Sequence, residues 1–391
     1  MPAALAEGMN NKTINPIKPE ARTQHQGLKP FLMALTTKNH TQLLVKKNNL
    51  GTDNYQVLLE DIQNRNQGPS QRDCPTGYVP VPGNAIYNTN YASTGGFCVM
   101  KYEAKVDENS DGIGDSNVSC IYDGGSYNTW KAVNSDGTQK TGCDIDFVNR
   151  TIVSSAQGYP LTYIAQDYSS DYIDAKRACA GLGNNYHLIT NGEWMTIVRN
   201  IELQPQNWSS GVVGQGQLKS GNTGTAYTNG SYDGANPEYT AKTSADETAK
   251  LVLSNGSEVW DLSGNVWEWV DKTSTLAEQP DLAFDSNDEL FTGGSYVEYS
   301  GSYTYDESTK YLVGSDYFNY KDYRSINSLW NSGQGIGRIY TNSNSTSTSV
   351  RAWLRGGHWF YGTSAGALAL SLSNDPSLQH YLYGLRCVVV P

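Results

Sequence analysis

The sequence has few charged residues and no long apolar run. Charged residues make up 17% of the 391 residues, and Asp and Glu outnumber Lys and Arg by 39 to 28, for a net charge of −11. This acidic excess argues against a protein that binds nucleic acid through a broad basic surface. No apolar stretch approaches the roughly 18–20 residues of a membrane-spanning helix, so we expect no membrane span in this chain.

Several chemical signatures are also missing. The sequence has no P-loop, no dinucleotide-binding fingerprint and no His-Glu-x-x-His pair. None of its six cysteines lies in a Cys-x-x-Cys pair, which excludes zinc ribbons and thioredoxin-like motifs. An even number of widely spaced cysteines instead predicts disulfides and an oxidising compartment. We therefore expect an extracellular or cell-surface protein, although the first residues show no export signal.

Tyrosine, tryptophan and glycine are abundant, with 27, 9 and 39 residues respectively. A polar and aromatic composition is typical of surfaces that bind through adaptable contacts. It is also typical of loop-rich β proteins, and composition alone does not separate the two interpretations.

The composition changes near residue 73. Residues 1–73 contain no Cys or Trp and hold nine Lys and Arg against six Asp and Glu. They end in the turn-rich stretch NQGPSQRD. We predict an N-terminal arm or stalk, in part disordered, over residues 1–73. Glycines and aromatic residues are evenly dense from Cys74 onward, which predicts one domain over residues 74–391.

Two helices are predicted in the middle of the chain. The stretch SSDYIDAKRACAGLG has helical spacing of its apolar residues, with Ser169 or Ser170 as the expected N-cap and Gly181 or Gly183 at its end. In TNGEWMTIVRNI, Thr190 and Glu193 form a capping box ahead of an apolar stripe. That stripe consists of Trp194, Ile197, Val198 and Ile201. The rest predicts short strands joined by long loops, so the fold class is α+β.

Three segments resemble the formylglycine-generating-enzyme branch of the C-type-lectin fold, also called sulfatase-modifying factors. They are the helix pair DAKRACAGLGNNYHLITNGEWMTIVRNI, the stretch WDLSGNVWEWV at 260–270, and LRGGHWFYGTSAGALALSLSNDPSLQHYLYGLRCV at 354–388. The resemblance covers roughly residues 74–391. It implies an α+β fold in which two helices pack on short antiparallel sheets with long loops.

The sequence departs from the family at the position that carries its chemistry. The enzymes use a copper-binding cysteine pair just after the Gly-Gly-x-aromatic turn, whereas residues 359–365 here contain no cysteine. Without that thiolate pair the resemblance implies no Cu(I) site, and we predict that the chain is not an enzyme. Two enzymatic alternatives stay open: an atypical family member, or a hydrolase that uses Ser364 in the Gly-x-Ser-x-Gly stretch at 362–366 with Asp375 and His380.

The segment 354–388 also resembles the variable region of diversity-generating-retroelement proteins. Such proteins use a C-type-lectin fold to present a mutable ligand-binding face. The resemblance implies a non-enzymatic display protein that binds a protein or glycan target on another cell or virus surface. The implied binding residues are His358, Phe360, Tyr361, Ser364, Ser371, Ser373, Asn374, Leu378, His380, Tyr381 and Leu382.

The residues themselves support part of this assignment. Leu370 and Leu372 alternate with Ser371 and Ser373, which predicts a strand whose serines point away from the buried leucines. Exposed aromatic residues in one short region are unusual for an inert surface. The alternative is that these aromatics pack under neighbouring loops. A structural envelope- or pilus-associated protein is a further alternative.

Two calcium sites are candidates. In DENSDGIGD, oxygen-bearing side chains have the spacing of a calcium loop, although the closing carboxylate is absent because residue 118 is Val. The ligands of this loop would be Asp107, Asn109, Asp111 and Asp115. The family resemblance implies a second structural site, at Asp261, Gly264, Val266 and Glu268. The alternatives are a plain polar turn for the first site and a glutamate that accepts backbone N–H groups for the second.

The family resemblance also implies a disulfide between Cys179 and Cys387. For the other four cysteines we predict the local pairs Cys74–Cys98 and Cys120–Cys143, out of the 15 connectivities that six cysteines allow.

Overall fold

A computed structural model provides the structure, and its described residues all fall within one compact unit, Asp53–Pro391. The described residues are 69–70, 73–91, 94–107, 110–114, 151–156, 160–162, 164–168, 174–221, 223, 249–279, 295–297, 322–327, 329–341, 347–380 and 382–391. Almost all of the predicted N-terminal arm lies outside them, so the arm remains a prediction.

The two predicted helices are present, as α1 (Ala175–Ala180) and α2 (Asn191–Glu202). The N-cap of α1 is Asp174, whose carboxylate accepts the Arg177 N–H at 2.8 Å. The prediction of Ser169 or Ser170 as the N-cap is therefore wrong, because the helix begins only after Asp174. Gly181 ends α1, as one of the two expected glycines. The capping box of α2 forms as predicted.

Fourteen strands are described, most of them three to five residues long. In chain order they are β1 Tyr78–Pro82, β2 Gly96–Met100, β3 Ala104–Asp107, β4 Thr151–Ser154, β5 Tyr186–Leu188, β6 Lys250–Val252, β7 Glu258–Trp260, β8 Trp267–Thr275, β9 Ser295–Val297, β10 Ile339–Thr341, β11 Val350–Arg355, β12 Leu370–Asn374, β13 Tyr383–Leu385 and β14 Cys387–Val389.

The strands form two larger sheets and two separate two-stranded sheets. The four-stranded sheet has the order β1-β2-β14-β5, and β3-β4 and β6-β7 are two-stranded. The six-stranded sheet has the order β13-β8-β11-β12-β10-β9. In that sheet β13 pairs in parallel with β8, and β10 pairs in parallel with β12, so it is mixed rather than purely antiparallel. The observed architecture is the α+β fold expected from the sequence.

One buried apolar cluster joins α1 and the four-stranded sheet to the six-stranded sheet, and α2 buries a further apolar stripe. The apolar stripe of α2 is fully buried, as its spacing predicts. Trp194 in this stripe donates its indole N–H to the Ala367 carbonyl at 2.8 Å, which ties α2 to the segment before β12. Leu370 and Leu372 of β12 are also fully buried. This packing fixes the position of the C-terminal segment relative to the sheet.

Two of the three predicted disulfides are present. Cys74 bonds Cys98, and Cys179 of α1 bonds Cys387 of β14. The second bond closes a separation of 208 residues, and a cross-link of that length strongly restricts the unfolded chain. Cys120 and Cys143 lie outside the described residues, so their pairing remains a prediction. None of the described helices is long and apolar enough to cross a membrane.

Candidate functional site

The C-terminal segment leaves the sheet after β11, makes a tight turn, and returns as β12. Gly357 at this turn has a φ of +82°, and a Cβ there would lie 2.6 Å from Ala365. The turn therefore requires glycine, because another side chain would be strained and would clash. A short 3-10 turn at Gly362–Ser364 follows. Residues 358–361 thus form a turn between the two strands.

The first half of the site is a stack of rings. The imidazole of His358 packs on the Tyr361 ring at a centroid distance of 3.7 Å, and Tyr361 packs edge-on against Trp267 at 5.7 Å. The Phe360 N–H donates to His358 Nδ1 at 3.1 Å. His358 therefore fixes the conformation of the turn that carries Phe360 and Tyr361.

The second half of the site combines rings with hydrogen bonds. Tyr383 packs against His380 at 4.9 Å and edge-on against Trp269 at 5.2 Å. Its hydroxyl donates to Asn374 Oδ1 at 2.8 Å, and Asn374 Nδ2 donates to Ser371 Oγ at 3.0 Å.

One face of β8 holds the two halves together. Trp267 and Trp269 are two residues apart in this strand, so their side chains project from the same face of the sheet. Tyr361 packs on the first of these tryptophans and Tyr383 on the second. The two halves are therefore neighbours, as a single binding face requires.

The imidazoles of this face are uncharged at neutral pH. Burial, followed by the charge of His380, lowers the pKa of His358 to about 3. Burial also lowers the pKa of His380 to about 4. Both side chains are neutral near pH 7, so they add no positive charge to the face.

We call the rings of His358, Tyr361, His380 and Tyr383 the aromatic floor. Two apolar side chains beside this floor are exposed. Phe360 is 54% exposed and Leu378 is 38% exposed, the first in the turn before β12 and the second in the loop after it. Tyr361, Ser364, Ser373, Asn374 and His380 are half-buried. Tyr381 lies outside the described residues.

Three residues of the predicted binding set are not accessible to a ligand. His358 and Ser371 are each 4% exposed, and Leu382 is 8% exposed. The alternation of β12 correctly turns Ser371 away from the leucines, but Asn374 and Ser373 cover that face as well. Both faces of the strand are therefore buried at this point, and the predicted outward position of Ser371 is wrong.

The serine-hydrolase arrangement is not supported by the geometry. The Asp375 carboxylate accepts the backbone and hydroxyl groups of Ser377 and lies 3.7 Å from an Arg351 nitrogen. His380 Nδ1 accepts the Leu382 N–H at 3.3 Å. The acid and the base are thus oriented by other groups, whereas a triad needs each to orient the next.

Sequence reasoning missed Tyr383 and the two tryptophans of β8 as parts of the site. The sequence feature that could indicate Tyr383 is its position two residues before the buried Leu385 in YGL. That spacing is typical of a strand, and this strand follows the binding loop. The tryptophans lie in the GNVWEW stretch, whose sequence points to the family resemblance and to a calcium site but not to a binding face. Their contribution depends on parallel pairing of β13 with β8, which no local pattern predicts.

The first calcium candidate forms a turn. The buried Asp107 carboxylate accepts the N–H groups of Asp111 and Gly112 at 3.2 and 2.9 Å. Asp111 Oδ1 accepts the Ile113 N–H at 2.8 Å. Asn109 and Asp115 lie outside the described residues. These bonds agree with the polar-turn alternative and leave calcium binding there as a proposal.

The second calcium candidate contains an internal cation. Glu268 forms a two-pronged ion pair with the buried Arg386, at 2.8 and 3.0 Å. A third carboxylate, Glu103, accepts the Asn265 side-chain amide at 2.5 Å and the Val266 N–H at 3.3 Å. Burial, and then the charges of Asp261 and Glu268, raise the pKa of Glu103 well above its usual range.

These oxygen donors fit the chemistry of a hard cation. The backbone is left-handed at Asp261 and at Gly264, with φ values of +55° and +87°. In the part of the chain that the structure describes, however, no three His, Cys, Asp or Glu side chains converge as a metal site. The guanidinium of Arg386 already engages both oxygens of Glu268, so calcium at this turn also remains a proposal.

The fold and site can now be compared with known proteins. Residues 98–390 match the family model described as the sulfatase-modifying factor enzyme 1-like domain. The chain belongs to this family. The family and α+β fold that the sequence led us to expect are therefore confirmed. No curated protein matches the sequence.

Solved structures of three Major Tropism Determinant variants are similar to this chain at a distant level. The I1, U1 and M1 variants share 14%, 15% and 16% sequence identity with it, with TM-scores of 0.31, 0.33 and 0.32. Each alignment covers 83% of this chain. The chain spans only about half the length of these proteins, 54–55%.

Proposed function

We propose that this member of the sulfatase-modifying factor family is a non-enzymatic display protein whose C-terminal face, residues 358–383, binds another protein. The observation that supports it most is the joined aromatic floor of His358, Tyr361, His380 and Tyr383, with Phe360 and Leu378 projecting from its two flanking segments. Aromatic and apolar anchors on a rigid support are the usual sites of strong binding in protein interfaces.

The polar groups of the face favour a protein over a glycan as the ligand. Asn374 uses both ends of its amide on Tyr383 and Ser371, and the two histidines accept backbone N–H groups. Few groups therefore remain to bind the many hydroxyls of a sugar. The exposed apolar side chains suit an apolar patch on a protein, because burying them removes hydrophobic surface from water.

The neutral histidines of the floor separately disfavour an anionic ligand, including an acidic glycan. His358 and His380 are neutral near pH 7, and the whole chain carries a net charge of −11. An anionic ligand would find no compensating charge in this floor.

The residues after the Gly-Gly turn support a non-enzymatic role. In the related enzymes a cysteine pair in this stretch binds copper, and residues 359–365 here supply none. The same stretch instead supplies Phe360 and Tyr361, which are suited to contact. We further propose that the face is diversifiable and that the protein acts at a cell or virus surface, where its disulfides would be stable.

Selection from a displayed library tests this proposal. One library randomises the exposed positions Phe360, Thr363 and Leu378, and a matched control library randomises the exposed positions Arg177, Ala180 and Asn184 near the end of α1. Both are panned against lysozyme and against a chitin oligosaccharide.

Folded lysozyme binders from the first library alone would support a diversifiable protein-binding face. Binders to the oligosaccharide alone would contradict the protein preference. If neither library gives binders, or both give them equally, the proposal fails and the structural-protein alternative takes its place.

A further inference from the structure

Tyr383 connects two parts of the site that the sheet keeps apart. Strands β12 and β13 are separated in the six-stranded sheet by β11 and β8. The loop 375–382 therefore crosses two strands to join them. Tyr383 is the first residue of β13, directly after this loop, and its hydroxyl reaches back to Asn374 at the end of β12. The hydrogen bond closes the loop at its base.

The hydrogen bond continues into the strand. Asn374 receives the Tyr383 hydroxyl at Oδ1 and donates from Nδ2 to Ser371, so its amide is held at both ends. Ser371 is buried, which anchors the chain of bonds in β12. A chain of satisfied hydrogen bonds that is partly shielded from water favours one arrangement of its members.

The ring of Tyr383 supports the loop from below. It packs on Trp269 of the fully buried core and against His380 of the loop. The Tyr383 N–H also donates to the His380 carbonyl at 3.1 Å. The Tyr383 side chain thus contacts Trp269, the end of β12 and the loop. Leu378 projects from the same loop.

We propose that Tyr383 is a positioning residue of the binding face: it fixes loop 375–382, and with it Leu378, without contacting the ligand itself. The effect of Tyr383 on ligand affinity rests on the proposed function. Its effect on the order of the loop does not, because it concerns the free protein.

Hydrogen exchange of the free protein tests the ordering directly. In Tyr383→Phe the ring stays and only the hydroxyl is lost. We expect amides of the loop, including those of Leu378 and Leu382, to exchange about fivefold faster, as loss of one net hydrogen bond implies. Tyr186→Phe is the matched control, since Tyr186 also begins a three-residue strand, β5. It should leave the loop unchanged.

A double-variant cycle isolates the hydrogen bond. Asn374→Ala should accelerate exchange in the loop to a similar degree, and Tyr383→Phe combined with Asn374→Ala should add little more. Asn374→Asp retains an acceptor for the hydroxyl and should stay closer to the parent protein. Unchanged exchange in both Tyr383→Phe and Asn374→Ala would overturn the proposal.

A binding measurement separates positioning from simple stability. In a lysozyme binder selected as above, Tyr383→Phe should weaken affinity at least fivefold while the melting temperature changes little. A fall in melting temperature with unchanged affinity would show a merely structural role and would overturn the proposal. If selection yields no binder, the proposed function fails, whereas the exchange measurement still decides the role of Tyr383.

Discussion

Glu268 and Arg386 form a two-pronged ion pair that is fully buried, with N–O distances of 2.8 and 3.0 Å. Glu268 lies between the two tryptophans that support the binding face, so it projects from the opposite side of β8. The remaining guanidinium N–H groups donate to the backbone carbonyls of Met100, Lys101 and Trp260. One side chain therefore joins the two larger sheets beneath the site.

Removing one member of this pair leaves a buried charge without its partner. We expect Arg386→Met and Glu268→Gln each to lower the free energy of unfolding by about 3–5 kcal/mol. The double variant should lose clearly less than the sum, because neither member of the pair is then left charged without the other. It should not recover fully, because Asp261 and Glu103 also lose the charge of Arg386. Urea unfolding of the three variants measures this coupling, and strictly additive losses would show that the pair does not act as a unit.

Phe360 and Leu370 should separate binding from stability. Phe360 is 54% exposed, so Phe360→Ala should change the free energy of unfolding by no more than about 0.5 kcal/mol. Leu370 is fully buried, and Leu370→Ala should cost about 2–5 kcal/mol. Urea unfolding measures both costs.

The same Phe360→Ala change should abolish binding in a lysozyme-selected variant that retains Phe360. Val212→Ala, at another exposed apolar residue, is the control and should leave binding intact. Equal effects of the two changes would argue against Phe360 as an anchor. Tyr361 is unsuitable for this comparison, because it is half-buried against Trp267 and its loss should also reduce stability.

The lowered pKa of His380 predicts that the protein loses stability in acid. Burial lowers the pKa of His380 to about 4 in the folded protein, against about 6.5 in the unfolded chain. Between these values the unfolded state binds more protons, so the contribution of His380 is present above pH 6.5 and is lost as the pH falls toward 4. His380→Gln should therefore show a weaker decline in unfolding free energy from pH 7 to 4.

His187 gives an internal control of opposite sign. Burial lowers the pKa of His187, but the hydrogen bond and charge of Glu193 raise it more. The pKa of His187 therefore lies above its ordinary value. Its contribution is present below pH 6.5 and is lost as the pH rises through the folded-state pKa. His187→Gln should therefore lose more stability at pH 6 than at pH 8. Parallel pH profiles for both histidine variants would contradict these assignments.

Calcium binding is tested by melting the protein with chelator and with excess calcium. If either candidate site binds, calcium raises the melting temperature, because the ion binds the native state. Asp107→Asn should remove the shift if the 107–115 loop binds, and Asp261→Asn should remove it if the turn at 261–268 binds. Identical melting curves with chelator and with calcium would exclude both.

The sequence predicted best the features set by local rules. The capping box of α2 and its buried stripe follow from spacing alone, since helix geometry places residues three and four apart on one face. The Cys179–Cys387 disulfide followed from family resemblance, because no local pattern connects residues 208 apart.

The binding face was harder to predict because burial depends on distant partners. Alternation shows that Ser371 faces away from Leu372, but not that Asn374 covers it. Nor does the sequence show that Tyr383 packs over a tryptophan of β8, since that contact requires parallel pairing of β13 and β8. The exposed anchors and the buried support could be distinguished only in the folded chain.

The central claim is that residues 358–383 form a face whose exposed positions vary while its support does not. Sequencing the 354–388 coding segment across a natural population, together with its genomic surroundings, tests this most directly. The account predicts substitutions concentrated at exposed positions such as Phe360 and Leu378, constancy at the buried Leu370 and at Tyr383, and a near-identical template copy beside a reverse-transcriptase gene. An invariant segment without such a copy would contradict it.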